Sequence, residues 1–104
     1  MSDNAKPEVK EVDGKYLMYK GKPLVREGDT IYYGRMSDPY VLFLMIMSYK
    51  KAGDAQLPDK VLIQVLGREG HQNTHEKIYK QGEKSGLYDA LDVGIAWLDR
   101  ALAG

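Results

Sequence analysis

Tyr40 to Tyr49 reads YVLFLMIMSY, and from Val41 to Met47 it holds no polar side chain. The run is far short of the roughly 20 apolar residues that a membrane-spanning helix needs. It is therefore expected to be a buried element, and the rest of the chain must fold to cover it. Ser37 and Pro39 would start a helix well, and leucine and methionine favour one. A helix apolar all round, however, needs partners on every side, and so short a chain offers few. A strand is the expected state, with Leu42, Leu44 and Ile46 on one face and Val41, Phe43, Met45 and Met47 on the other. Val61–Leu66 (VLIQVL) is a second run of strand type. The polar AGDAQLPD between them reads as a long loop joining the two as a hairpin.

Working toward the N-terminus, KYLMYK (15–20), PLVRE (23–27) and TIYYG (30–34) form short strand-type runs separated by Gly21-Lys22 and Gly28-Asp29. Glycine supplies the positive φ that tight hairpins require, so these runs predict a β-meander. Residues 1–14 are polar and charged and carry Pro7; that composition reads as a disordered arm preceding one domain over 15–104. Toward the C-terminus, GREGHQNTHE (67–76) reads as a loop. KIYKQ (77–81) reads as a short edge strand that Gly82-Glu83-Lys84 would break. From Gly86 the period changes. Leu87, Ala90, Leu91, Gly94, Trp97, Leu98, Ala101 and Leu102 recur at three- and four-residue spacing, one face of an amphipathic helix. Ser85 is the expected cap. Gly94 implies a close approach to the sheet, and Trp97 is expected to be the largest single contact. The fold class is α+β: an antiparallel meander of five or six strands, open or curled toward a barrel, with one C-terminal helix packed on it.

The chain has 104 residues, 15 basic and 15 acidic, and no cysteine. That length supports one core. Zero net charge argues against generic nucleic-acid binding, which normally shows a basic excess. The lack of cysteine excludes disulfides, thiolate metal sites and a cysteine nucleophile, and fits a reducing, cytoplasmic setting. No apolar core marks the first residues as a signal peptide.

The segments KYLMYKGKPLVREGDTIYYG and GLYDALDVGIAWLDRAL resemble parts of small uncharacterised bacterial single-domain proteins. That resemblance implies a stand-alone domain ending in a helix and transfers no activity and no site residue.

No pattern in the chain carries chemistry. His71 and His75, with Glu76, have a spacing that would hold a metal on a helix, but their segment has no apolar face to dock one, and Gln72 stands where the metalloprotease pattern has glutamate. QGEKSG (81–86) lacks the glycine before the lysine of a phosphate loop. No serine sits in a nucleophile elbow. The expectation is a non-enzymatic binding or interaction protein with no cofactor, no metal and no membrane partner. Its proposed surface is the second apolar face, Val41, Phe43, Met45 and Met47. One helix covers one face of a sheet, so curling, the N-terminal arm or a second copy must cover the other, and a homodimer is the expected outcome. The alternative is a single-stranded nucleic-acid surface made by Tyr16, Tyr19, Tyr32, Arg26 and Arg35, since aromatics among basic residues on a sheet stack bases; a small enzyme with an unrecognised site comes third.

Overall fold

A computed structural model describes residues 16–35, 37–68 and 75–104, apart from the side chains of Tyr16, His75 and Glu76. The expected arm over 1–14, His71 and most of the 67–76 segment lie outside the described residues. Among the described residues, eight strands and one helix follow in order: β1 (Tyr16–Tyr19), β2 (Lys22–Glu27), β3 (Thr30–Tyr33), β4 (Tyr40–Ile46), β5 (Tyr49–Ala52), β6 (Ala55–Pro58), β7 (Lys60–Arg68), β8 (His75–Ser85) and α1 (Leu87–Ala103). Six strands form one sheet in the order β1-β2-β3-β4-β7-β8, all neighbours antiparallel, and β5-β6 form a separate ribbon. The architecture is α+β, and the sheet is open: β1 and β8 are its edges, so curling into a barrel does not occur.

The all-apolar run is the strand β4, central in the sheet and paired with β3 and β7. Opposed residues of an antiparallel pair share a face. Leu42 pairs with Val65, Leu44 with Ile63 and Ile46 with Val61, and all six are buried under α1. The helix contributes Ala90, Gly94, Ile95, Leu98 and Ala101 to this layer. A side chain at Gly94 would place its Cβ 2.7 Å from Leu42 Cδ1 and 3.2 Å from Ile63 Cγ2, so the glycine sets how closely the helix lies on the sheet.

Several boundaries differ from expectation, each for a local reason. The first turn is Lys20-Gly21, because Tyr19 pairs with Lys22, and both turn residues have positive φ (50° and 84°), as the twist of a two-residue hairpin demands. The region expected as a loop over 52–59 is the β5-β6 ribbon, turning at Gly53-Asp54. The 77–81 edge strand extends over all of β8, and Gly82 does not break it. A Cβ there would lie 2.9 Å from the Trp97 indole, so the glycine is the seat of the ring. Trp97 is accordingly half-buried, with Lys80 Nζ 4.9 Å from its centroid, while Leu98 is the fully buried anchor. Ser85 is the last residue of β8, and the helix is capped by Gly86 at φ 92°, without a side-chain cap bond. Gly86 N–H donates to the Asp59 carbonyl at 2.6 Å, which ties the helix entry to the β6-β7 corner.

Candidate functional site

The face of the sheet turned away from α1 is set by the same register. Three rows of side chains run across it, roughly perpendicular to the strands. The first holds Glu27, Thr30, Met45, Leu62 and Glu83. The middle row holds Val25, Tyr32, Phe43, Gln64 and Gln81, with the backbone of Tyr16 paired to Val25 at its end. The third holds Met18 and Pro23, then Val41, Leu66 and Ile78; Gly34 N–H bonds the Pro23 carbonyl between them at 3.0 Å.

Packing within this face is graded from floor to crest. Val41 and Phe43 are buried by their neighbours, and the Tyr32 and Phe43 rings meet at 5.0 Å between centroids. Gln64 Nε2 donates to Gln81 Oε1 at 2.9 Å, so the two amides satisfy each other across β7 and β8. Above that floor stand Val25 (38% exposed), Met45 (37%), Tyr32 (47%) and Ile78 (47%). No lysine or arginine stands in these three rows, but Lys60 and Arg68, two residues beyond Leu62 and Leu66 on β7, flank them on the same face. Lys80 and Lys84 pair with Val65 and Val61, and Arg26 pairs with Ile31, so all three belong to the helix side.

Of the expected self-association residues, Val41, Phe43 and Met45 share this face, the first two as floor and the third as crest. Met47 lies just past the end of β4 and is exposed there; its N–H donates to the Lys60 carbonyl. Val25 and Ile78 belong to the face as well and were not singled out from the sequence. Alternation in PLVRE marks Val25. The position of Ile78 depends on a bulge: Val65 pairs with Lys80 but Leu66 with Ile78, leaving Tyr79 as the extra residue. Tyr79 meets Tyr40 as a tilted ring pair (4.9 Å between centroids) on the helix side, beside Gly67, where a Cβ would meet the Tyr40 ring at 2.9 Å.

The residues of the alternative surface do not share a face. Tyr32 is on the open side. Tyr19 packs edge-on against Tyr33 (5.9 Å) on the helix side, and Tyr33 donates its hydroxyl to the Tyr19 carbonyl at 2.8 Å. Arg26 donates through Nε to the Gly28 carbonyl, and Arg35 through Nη2 to that of Gly21. Tyr16 is described only through its backbone pairing.

A cleft lies on the helix side. It is open, with a volume of about 700 Å3, between the β5-β6 ribbon, Arg26 and the first turn of α1. Its ribbon is strapped down by Tyr49, whose hydroxyl donates to Asp29 Oδ1 at 2.6 Å. That hydrogen bond to the Asp29 carboxylate raises the Tyr49 hydroxyl above its usual range. Its lining carries two basic residues, Arg26 and Lys50, and one acidic residue, Asp89. Among the described residues, no three histidine, cysteine, aspartate or glutamate side chains gather as a metal site, and no helix is long and apolar enough to cross a membrane.

The fold and this face define a class: a small α+β domain with a helix-covered and an uncovered sheet face. The chain matches no protein-family model, no curated protein and no solved structure.

Proposed function

We propose that this chain is a non-enzymatic interaction domain whose working surface is the open sheet face, and that it acts by self-association. The observation that carries the reading is the crest of Val25, Tyr32, Met45 and Ile78 over the apolar floor of Val41 and Phe43. Contiguous apolar surface of more than a few hundred Å2 is rare on soluble monomers and marks an interaction site. Ionisable groups do not converge on it: Glu27 and Glu83 lie on β2 and β8, with β3, β4 and β7 between them, and Lys60 and Arg68 stand at opposite ends of β7. The absence of cysteine from the sequence supports a reducing, cytoplasmic setting for this activity.

The test is sedimentation equilibrium at micromolar concentration on the wild type and on Met45→Glu. The expected result is a wild type at twice the chain mass and a folded variant at the chain mass. A wild type that stays at monomer mass overturns the reading.

A further inference from the structure

Going beyond the self-association reading, we infer a second binding surface: the rim where strand β8 meets the flank of α1 holds a single-stranded nucleic acid, with lysine and arginine on its phosphates and Tyr79 against a base. This rim belongs to the helix side of the sheet, so a second copy on the open face leaves it uncovered.

The chain is neutral overall, yet its charges are sorted at this rim. The register puts Lys77, Lys80 and Lys84 of β8 on the helix side, opposite Gly67, Val65 and Val61, and all three are exposed. Trp97 of α1 sits over Gly82 of the same strand. Helical residues three apart share a flank, so the exposed Arg100 follows Trp97 along the side of α1 turned to β8. The carboxylates point elsewhere. Glu83 alternates to the open face, opposite Leu62. Asp99 lies on the other flank of the helix, where its charge acts on Tyr33 of β3, and Asp92, seven residues earlier, shares that flank. Asp89 lines the cleft at the helix start. From Lys77 to Lys84 the cationic track extends about 20 Å along the strand.

Aromatic rings stand between these cations. Lys80 Nζ lies 4.9 Å from the Trp97 ring centroid. Tyr79 is 58% exposed, although one side of it meets the Tyr40 ring at 4.9 Å. At ~3.4 Å per residue, Tyr79 and the Gly82 seat of Trp97 are about 10 Å apart along β8. The bulge is what brings Tyr79 here. Without it, alternation from Lys80 would set Tyr79 opposite Leu66 on the open face; with it, Ile78 takes that place. Bulges re-aim side chains in this way.

These features select the ligand. A cationic track interleaved with aromatic rings is how proteins hold single strands, phosphates on the charges and bases on the rings. An acidic peptide would answer the lysines and leave the rings without a role. A duplex keeps its bases stacked inside and cannot use the rings either. Lysines on a strand at the sheet margin also discourage strand addition, but that purpose needs no re-aimed tyrosine.

Trp97 is the only tryptophan, so its fluorescence reports on this rim. The full-length protein would be titrated with a short oligothymidylate at low and at raised salt, with the anisotropy of an end-labelled oligothymidylate as a parallel readout. The expected result is micromolar binding that changes Trp97 emission and weakens as salt is added. Tyr79→Ala should weaken it at least about fivefold, the low end of a lost base stack, and Tyr79→Phe, which keeps the ring, should restore it. Lys84→Gln should lower the salt slope by about one. Tyr88→Ala, at an exposed ring outside the rim, should bind as the wild type does. No binding at low salt overturns the inference. So does a Tyr79→Ala variant of unchanged affinity, or polyglutamate displacing the oligonucleotide at equal charge concentration, since either shows a site that reads charge alone. Should Tyr79→Ala fail to fold, Lys84→Gln decides, and a wild-type salt slope overturns the inference. Sedimentation mass does not enter: a monomer and a dimer that bind in this way both uphold it, and self-association stands or falls separately.

Discussion

The two faces of the sheet are made from the same strands and similar residues, yet they end in different states. On the helix side Leu42, Leu44, Val61, Ile63 and Val65 have no exposure at all. On the other side Met45 and Val25 keep more than a third of theirs. Aliphatic alternation alone does not separate the two, because β4 is apolar on both. What separates them is glycine. Gly94 and Gly82 let α1 and Trp97 settle against one face at contact distance. The open rows hold no glycine opposite a helix, and side chains only pack laterally there. Intramolecular stability should therefore reside on the helix side, and the capacity for contact with other molecules on the open side.

Four substitutions test that division, from the largest effect down. Leu44→Ala removes a fully buried side chain facing α1 and is expected to cost about 2–5 kcal/mol in urea denaturation. A cost below 1 kcal/mol would show that the helix side is not the core. Gly94→Val forces side-chain atoms into Leu42 and Ile63, and overpacking of this kind costs about 1–3 kcal/mol. A variant as stable as wild type would mean that the helix can lift away freely, and the glycine argument would fall.

Tyr33→Phe comes third. It removes the donor to the Tyr19 carbonyl at the margin of the helix-side core, with an expected loss of about 0.5–1.5 kcal/mol. It also changes the response to alkali. Burial raises the Tyr33 hydroxyl above its usual range, with the Asp99 carboxylate adding to the shift. The native state therefore holds this proton to higher pH than the unfolded chain. Its contribution is fully present below the unfolded value of about 10 and is lost as pH rises through the raised native value. Wild-type stability should fall across that alkaline window, and the Phe variant should fall less steeply. Parallel alkaline curves would remove Tyr33 as the cause.

The smallest effect is expected from Met45→Ala on the open crest. At a concentration low enough to keep the chain monomeric, it should change folding stability by less than about 0.5 kcal/mol. A loss comparable to that of Leu44→Ala would erase the distinction between the faces.

Much of this was legible in the sequence. Strict alternation through Tyr40–Ile46 assigned each residue of β4 to its face, and the three-to-four spacing after Gly86 marked the helix and its apolar stripe. Tight turns rich in glycine announced the meander of β1 to β3. Elsewhere local signals misled. Gly82 has the composition of a breaker, and its neighbours Gln81, Glu83 and Lys84 are polar, yet β8 runs through it because Trp97, fifteen residues later in the chain, needs the space. The polar 49–58 segment carries no apolar alternation, and it pairs as the β5-β6 ribbon across the Gly53-Asp54 turn. Ile78 changes face through a bulge that leaves no compositional trace.

Hydrophobic period and turn chemistry are properties of consecutive residues, so the sequence alone determined the order of the main elements, the α+β class and the two-sided apolar strand. Which face the helix takes, which glycines are seats rather than breaks, and which side chains share the uncovered surface depend on contacts between residues far apart in the chain. Only the tertiary structure decided those, because each is a question of whether two surfaces fit at van der Waals distance.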